Sequence, residues 1–306
     1  MLNTDNLRRK HPFHVIVLTL VVVFLCSWLA TKLYLNAFRS DEQGGEFFAG
    51  GKIGVVDVKG LITSAEKPIR DLTEFRKDRR IRAVVLRIDS PGGAVGASQE
   101  IFEEVRKTDK VKPVVASMGS LAASGGYYAA LGARKIVANP GTLTGSVGVI
   151  VKFPNLTEVF DKIGYHSEVV KSGRLKDIGA MNRPMTAEER TLLQDIIDNV
   201  HQQFVDAVVE CRKLPADKVR NLADGRIFSG KQALELGLVD QLGNFTDAVM
   251  AASKLAGIQK DYPSLVHTTE KDFSLLRLLL GGSGEATLQN LTTLYPTLSY
   301  ELNFKP

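Results

Sequence analysis

The stretch Val114–Tyr128, VVASMGSLAASGGYY, decides how the rest of this sequence is interpreted. It begins as a short apolar strand, continues through small residues and reaches Ser124 immediately before Gly125 and Gly126. Small side chains let other backbone approach a serine closely, and two glycines permit a sharp entry into a helix. A hydroxyl at a helix start lies where free amides favour developing negative charge. The stretch suits a nucleophile, but taken alone it is more typical of an ordinary strand–helix turn.

Two further segments carry groups that a nucleophilic serine needs. One is Ala83–Gly93, AVVLRIDSPGG, which predicts a buried strand ending in a Pro-Gly-Gly turn. Such a turn can expose backbone amides, which an oxyanion hole requires. The other is Lys171–Asp177, KSGRLKD, which follows a predicted strand and contains two candidate amine bases, Lys171 and Lys176.

The base that would activate Ser124 is expected to be a lysine rather than a histidine. His166 lies in a predicted strand, His201 in the middle of an amphipathic helix and His267 in a weakly patterned tail. None of these has the local surroundings of a catalytic triad. A lysine accepts a proton near neutral pH only if burial lowers its pKa by roughly 3 units from about 10.4. Burial of the lysine is therefore a condition of the mechanism, since an exposed amine stays protonated.

Apolar strands alternating with helices predict an α/β fold with largely buried sheets. Strands are expected at 53–58, 84–89, 114–117, 135–138, 147–151 and 166–171. Helices are expected at 68–77, 97–107, 156–163, 216–222, 230–236 and 245–255, with a further one following Ser124. A longer helix is expected to begin at the capping box Thr186–Glu189 and to place its apolar stripe in the core or against another subunit.

The segment 13–35 is almost continuously apolar and long enough to cross a bilayer as a helix. Basic residues precede it and acidic residues follow it, so the positive-inside rule predicts a cytoplasmic N-terminus and an extracytoplasmic remainder. A cleaved signal peptide is the competing interpretation, which the long apolar core and the poor cleavage pattern disfavour. The expected divisions are a basic N-terminus, an anchor, a linker, a folded domain and a poorly defined tail, at 1–12, 13–35, 36–51, 52–258 and 259–306.

The composition argues against several classes of function. The formal net charge is +5, which is too small to indicate a nucleic-acid partner when basic and acidic residues are interleaved. No cluster of Cys, His, Asp and Glu has the spacing of a metal site, and no phosphate-binding or dinucleotide motif is complete, so we expect neither metal nor cofactor. Cys26 and Cys211 lie in different segments and predict no structural disulfide.

The tail, with an apolar cluster at 273–280, predicts either a partner-contact helix or a flexible extension.

Five segments in a fixed order make the sequence similar to the signal peptide peptidase A family of membrane-bound Ser-Lys proteases, in its short, single-domain form. They lie between about residues 52 and 255 and comprise DSPGG (89–93), ASGGY (123–127), LTGSVG (143–148), KSG with KD (171–177) and DGRIF with a later glycine (224–243). The resemblance implies a Clp protease/crotonase-like superhelix of repeated β-β-α units, preceded by one N-terminal transmembrane helix.

The resemblance also implies a role for each matching residue. The implied nucleophile, general base, lysine-orienting hydroxyl and two oxyanion amides are Ser124, Lys176, Ser146, Gly93 and Gly125. Gly92 is the alternative to Gly93, because the sequence does not say which glycine amide points inward. Lys176 is preferred to Lys171 because it occupies the family's catalytic-lysine position.

The implied function is a membrane-anchored serine endopeptidase that degrades remnant signal peptides and other small or unfolded polypeptides. The implied place is a bacterial-type inner membrane, with the protease domain on the extracytoplasmic side. Subunits are expected to form a ring in which neighbours supply the serine and the lysine of one site, and pockets lined by small residues would favour small or aliphatic side chains. Three alternatives remain: a related protease with one membrane-protein substrate such as a stomatin-like protein, a crotonase-like acyl-CoA enzyme, and a non-catalytic scaffold.

Overall fold

The structure, a computed structural model, describes residues 12–43, 51–259, 263–268 and 299–301. The chain divides into two units, Met1–Ala49 and Gly50–Pro306.

The first unit contains helix α1 (Pro12–Gln43), which includes the whole segment 13–35. Its side chains are described for residues 17–32, where large apolar side chains such as Phe24 are exposed. Within the described parts of the chain, the structure contains no helix with the length and apolar character needed to cross a membrane. The anchor at 13–35 therefore stays a prediction.

The second unit consists of strands and helices that alternate along much of the chain. The strands are β1 (Lys52–Lys59), β2 (Ile81–Ser90), β3 (Gly92–Ala94), β4 (Val114–Ala123), β5 (Lys135–Ala138), β6 (Leu143–Gly145), β7 (Ile227–Ser229), β8 (Gln241–Leu242), β9 (Leu265–His267) and β10 (Ser299–Glu301). The helices are α2 (Glu66–Lys77), α3 (Val95–Asp109), α4 (Gly125–Leu131), α5 (Thr157–Ile163), α6 (Ala187–Arg212), α7 (Ala216–Leu222), α8 (Gly230–Leu236) and α9 (Phe245–Leu255).

The main sheet has the order β7–β6–β4–β2–β1–β9, and β5 pairs with both β4 and β8. Every pairing in it is parallel except the one between β6 and β7. Strand β4 pairs with β5 along its first half and with β6 along its last three residues. A second, antiparallel sheet joins β3 to β10. The prediction of an α/β fold with a parallel sheet is confirmed, whereas the superhelix of repeated β-β-α units stays a prediction.

The central strands are buried on both faces, as their continuous apolar sequences predict. Along β2, Val84 and Leu86 belong to the larger apolar cluster, whereas Ala83 and Val85 contact the cluster that includes residues of α9. This alternation follows from the two-residue period of a strand. Tyr127 of α4 is fully buried and donates a hydrogen bond from its hydroxyl to the carbonyl of Leu238 (2.9 Å), which fixes α4 in the core.

Two of the predicted strands are wrong. The strand expected at 147–151 is not formed, and the strand in this region is β6, which ends at Gly145. Ser146 follows it with a φ of 52°, which interrupts the extended conformation before residue 147. The strand expected at 166–171 is an exposed loop. Its apolar residues Val169 and Val170 are exposed, and no strand of the described chain lies beside them. A strand needs such a partner for its backbone hydrogen bonds.

Helix α6 begins at the predicted capping box, in which Thr186 and Glu189 bond each other's backbone amides. Its apolar stripe is only half buried. Phe204 and Val208 lie in the core, whereas Leu192 and Ile196 are each 39% exposed. The core half of the expectation is therefore confirmed, and the contact with another subunit stays a prediction.

The tail predicted at 259–306 contains two short strands, β9 and β10, that the sequence analysis does not anticipate. Strand β9 extends the main sheet beside β1, and β10 pairs with β3. The apolar cluster at 273–280 lies outside the described residues.

Candidate active site

Ser124 lies between the end of β4 and the start of α4, in a backbone conformation that is rare for a residue with a Cβ atom. Its φ is 53° and its ψ is −116°. The amide of Ser124 donates to the carbonyl of Gly145 (2.8 Å), and its own carbonyl accepts from the amide of Tyr128 (2.8 Å). The residue is 1% exposed in the single chain. Such strain, held in place by the elements around it, is typical of functional sites.

Ser146 lies next to Ser124 because two parallel strands end together. Strands β4 and β6 pair Ala123 with Gly145, so that each serine is the residue that follows a paired position. Paired strands are about 4.8 Å apart, which makes the two residues neighbours at one edge of the sheet. Ser146 is buried, has a positive φ like Ser124, and donates its amide to the carbonyl of Arg226 (2.8 Å).

The Pro-Gly-Gly turn packs directly against the first residue of α4. A Cβ atom added to Gly125 would lie 3.2 Å from the amide nitrogen of Gly93 and 2.4 Å from Oγ of Ser98. A Cβ atom added to Gly92 would lie 2.7 Å from the amide nitrogen of Gly125. Only glycine fits at these contacts, and the close approach places the Gly93 and Gly125 amides beside each other and next to Ser124.

The hydrogen bonds of the turn distinguish between the two candidate glycine donors. The amide of Gly92 donates to Oγ of Ser90 (3.1 Å), and the amide of Ala94 donates to the carbonyl of Ile62 (2.8 Å). Both amides are therefore already used within the chain. Gly93, between them, turns its backbone toward β10 instead, with which it pairs. The two glycines therefore differ, because the Gly92 amide bonds within the turn whereas Gly93 pairs with β10.

Lys176 lies on an exposed segment, and the structure of one chain does not join it to Ser124. Its side chain lines a surface depression with the neighbouring residues 172–175. Its amide donates to the carbonyl of Gly173 (3.1 Å). Within the described residues its ammonium forms no hydrogen bond and no ion pair. A single subunit therefore does not supply the buried amine that the mechanism requires.

Lys171 differs from Lys176 in that its ammonium is already paired. It forms an ion pair with Asp177, and Arg183 contacts the same carboxylate at 3.1 Å. Arg183 also pairs with Glu189 in the first turn of α6. These contacts attach the lysine-bearing loop, residues 171–185, to the start of α6 and leave Lys176 as the unpaired amine of that loop.

The charges around Arg183 shift two carboxyl groups strongly. Hydrogen bonding to the Arg183 guanidinium, reinforced by Lys171, lowers the pKa of Asp177 to about 2. Hydrogen bonding to the same guanidinium, reinforced by the Thr186 amide, lowers the pKa of Glu189 to about 2. Both carboxylates are therefore charged at neutral pH, and the attachment of the loop is complete there.

Replacing Arg183 by methionine is expected to raise the pKa of Asp177 and of Glu189 toward ordinary values near 4. Because both pKa values are depressed in the folded protein, the two charged carboxylates stabilise the folded state above about pH 4.5. This stabilisation is lost as the pH falls toward 2. Carbon-13 titration of the carboxyl groups measures these values in the wild type and in Arg183→Met. Arg174→Met removes an exposed arginine of the same loop and is the control, which should leave both pKa values unchanged. If both pKa values stayed near 2 in Arg183→Met, the attribution of these shifts to Arg183 would be wrong.

Sequence reasoning missed one element of this site. Strand β10 pairs with β3 at Gly92–Ala94, so that residues near the end of the chain lie against the Pro-Gly-Gly turn. The available signal is the short alternation of polar and apolar residues in 297–304, TLSYELNF. An alternation of this length does not identify a partner about two hundred residues away in the sequence.

Comparison with known proteins shows which family these features belong to. The model of peptidase family S49 matches residues 106–259. A protein of Synechocystis sp. that is named as a protease is 43% identical over 235 residues, covering 76% of this chain and 84% of that protein. The chloroplastic serine protease SPPA of Arabidopsis thaliana is 34% identical, and Protease 4 of Haemophilus influenzae is 33% identical. Each match covers 78% of this chain but only 36% and 41%, respectively, of those longer relatives.

A solved structure of a 1510-N membrane-bound stomatin-specific protease aligns with a TM-score of 0.47 and 17% identity, covering 72% of this chain and 99% of that one. The residues that the family model matches include four of the five sequence segments, and the Synechocystis relative is similar over most of this chain. This chain belongs to peptidase family S49, the signal peptide peptidase A family, and is a serine peptidase.

Proposed function

We propose that this protein is a membrane-anchored endopeptidase that cuts remnant signal peptides and other small or unfolded polypeptides with Ser124 as nucleophile and Lys176 as general base. The observation that carries the proposal is the conformation of Ser124. A buried serine is held at a positive φ where the backbone amides of Gly93 and Gly125 come close together. Ser146, the residue that follows the end of β6, also has a positive φ.

The proposed chemistry is acyl transfer in two steps. The amine of Lys176 takes the proton from Oγ of Ser124, which attacks the scissile carbonyl, and the lysine then protonates the leaving amine. Water, activated by the same amine, hydrolyses the acyl-enzyme. The amides of Gly93 and Gly125 hold the oxyanion of each tetrahedral intermediate, and one such donor contributes about 3 kcal/mol to lowering the barrier. The hydroxyl of Ser146 orients the amine of Lys176.

Lys176 is proposed to act on Ser124 of a neighbouring subunit. The support is the uncovered surface around the lysine: α5 buries none of its residues, and Val170 is fully exposed beside the lysine-bearing loop. Contact with a second copy would cover this apolar surface and exclude water from the amine. A repeated head-to-tail contact closes into a ring when the rotation between neighbours permits it, and a ring is the assembly that the resemblance implies.

The proposed location is a bacterial-type inner membrane, with the segment 13–35 in the bilayer, the N-terminus in the cytoplasm and the protease domain on the extracytoplasmic face. Its support is the apolar run itself and the basic residues before it. An anchor of this kind would hold the active site close to apolar peptides left in the membrane.

Covalent labelling tests the proposal against a non-catalytic scaffold and a crotonase-like enzyme. A fluorophosphonate probe applied to the full chain in detergent is expected to attach to Oγ of Ser124, with displacement of fluoride. Ser120→Ala, an exposed serine of the same strand, should leave the labelling intact, whereas Ser124→Ala should abolish it. An unlabelled wild-type protein, assembled and folded, would contradict the proposal. A panel of unrelated apolar peptides then separates broad trimming, in which many are cut, from a protease with one defined substrate.

A further inference from the structure

Basic side chains collect where the central parallel strands begin. Strands β1, β2 and β4 pair in parallel, so their first residues lie along one edge of the sheet. The segments at this edge are 77–82, which leads into β2, and 109–113, which leads into β4. The exposed basic side chains there that form no ion pair within the described residues, together called the basic edge, are Lys52, Lys77, Arg79, Arg82 and Lys110.

The acidic residues of the same two segments do not neutralise the basic edge. They are Asp78 and Asp109, and each already has an arginine partner. Asp78 pairs with Arg80 at 2.9 Å, and Asp109 pairs with Arg134 at 3.2 Å. The basic edge therefore carries a positive potential that nearby carboxylates leave unbalanced.

A role at a helix end explains Lys112 but not the basic edge beside it. The ammonium of Lys112 donates to the carbonyl of Phe75 (2.6 Å) and to that of Asp78, both at the end of α2. A basic group placed there satisfies carbonyls that have no partner within the helix. Burial lowers the pKa of Lys112; the charge of Asp78 opposes this effect, and the charge of Arg82 adds to it. Arg82 is thus close enough to Lys112 for their like charges to repel.

The turn between α3 and β4 exposes an apolar side chain among these cations. Val111 lies between Lys110 and Lys112 in the sequence and is 64% exposed. The turn is well ordered, because the amides of Val111 and Lys112 both donate to the carbonyl of Thr108, at 2.9 and 2.8 Å. An exposed apolar residue flanked by lysines suits the surface of a bilayer, where cations meet lipid phosphates and the apolar group reaches the acyl boundary.

The chain enters the second unit at this same edge of the sheet. That unit begins at Gly50, and Lys52 is the first residue of β1. The proposed anchor at 13–35 is therefore joined in sequence to the basic edge and not to the opposite edge, where Ser124 follows β4. A nucleic acid would meet the same charges, but it would not account for an exposed valine or for the connection to an apolar segment.

We propose that the basic edge and Val111 bind the anionic phosphate headgroups of a phospholipid bilayer and hold the second unit on the membrane by the edge where its strands begin. The inference rests on the proposed function through the anchor, which would keep this edge near the bilayer, and not through the chemistry at Ser124. Strand β4 has ten residues and is about 33 Å long. A peptide held in the bilayer would reach Ser124 with about ten extended residues.

Quenching by a headgroup-spin-labelled lipid tests which edge lies at the bilayer. The full chain with Cys26→Ala, Cys211→Ala and Val111→Cys, labelled with bimane, is reconstituted into phosphatidylcholine vesicles with or without phosphatidylglycerol. We expect quenching at least about twofold stronger with phosphatidylglycerol at low salt, and a loss of this difference at high salt, where charges are screened. A bimane label on Ser64→Cys, an exposed position in the turn after β1, is the control and should respond to neither change.

Two charge-reversed variants separate the basic edge from the charge of the whole chain. Arg79→Glu with Lys110→Glu reverses two members of the basic edge. Lys59→Glu with Lys231→Glu reverses two exposed lysines outside it, and both pairs lower the formal net charge from +5 to +1. The first pair is expected to abolish the phosphatidylglycerol-dependent quenching at position 111, and the second should keep it.

Flotation with vesicles of phosphatidylcholine alone reports the anchor separately, because this lipid has no net charge. A chain that does not float with them would refute the anchor, whereas its flotation with phosphatidylglycerol vesicles at low salt would still support the inference. Equal quenching in both lipid compositions, stronger quenching at position 64 than at 111, or an equal effect of the two charge-reversed pairs would overturn the inference. Binding of double-stranded DNA without any response to phosphatidylglycerol would overturn it as well.

Discussion

Ser124→Ala is expected to lower kcat for peptide hydrolysis by about 10⁵-fold, because it removes the only atom proposed to form the acyl bond. Alanine keeps the Cβ atom, so it enters the same positive φ as serine and adds no new strain. The fold and the affinity for peptide should both be retained. Initial rates with a quenched fluorescent peptide, measured beside the thermal unfolding midpoint, test this expectation.

The matched control is Ser120→Ala, in which a hydroxyl is removed from the same strand at an exposed position. We expect its activity to stay within twofold of the wild type, on the order of the effect of an ordinary surface substitution. A variant without the Ser124 hydroxyl that turned over at the normal rate would show that the nucleophile lies elsewhere.

Lys176→Met is the second substitution with a large expected effect, a loss of about 10⁴-fold in kcat. Methionine has a similar length and no proton-accepting group, so the change removes the base with little change in volume. Lys171→Met tests the neighbouring amine, whose ion pair with Asp177 makes it a structural group of the lysine-bearing loop. We expect a much smaller loss there, and almost none for Lys254→Met at an exposed position of α9. A larger loss for Lys171→Met than for Lys176→Met would reverse the assignment.

The parts of the fold that follow from local sequence could be predicted. Continuous apolar runs identify β1, β2 and β4, because a strand covered on both faces needs apolar side chains on both. The start of α6 follows from its capping box, since Thr186 and Glu189 satisfy backbone amides that no other local group reaches. The junction at Ser124 follows from small residues and two glycines, which are the residue types that tolerate such a turn.

The parts that depend on distant partners could not be predicted in this way. Val169 and Val170 have the composition of a strand, but no strand among the residues that the structure describes lies beside them. Tyr300 is buried only because Tyr128 and Phe204, from two separate helices, form a pocket for it. The exposure of Lys176 has the same origin, because the surface that would bury it is proposed to belong to another copy of the chain.

Mixing the two inactive variants tests the shared site most directly. Ser124→Ala still carries the lysine and Lys176→Met still carries the serine, so a ring assembled from equal amounts of both contains some complete sites. If each site takes its serine from one subunit and its lysine from the next, about a quarter of the sites are complete in a random mixture. We expect hydrolysis to return to about that fraction of the wild-type rate. No recovery, in oligomers shown by mass spectrometry to contain both variants, would contradict it.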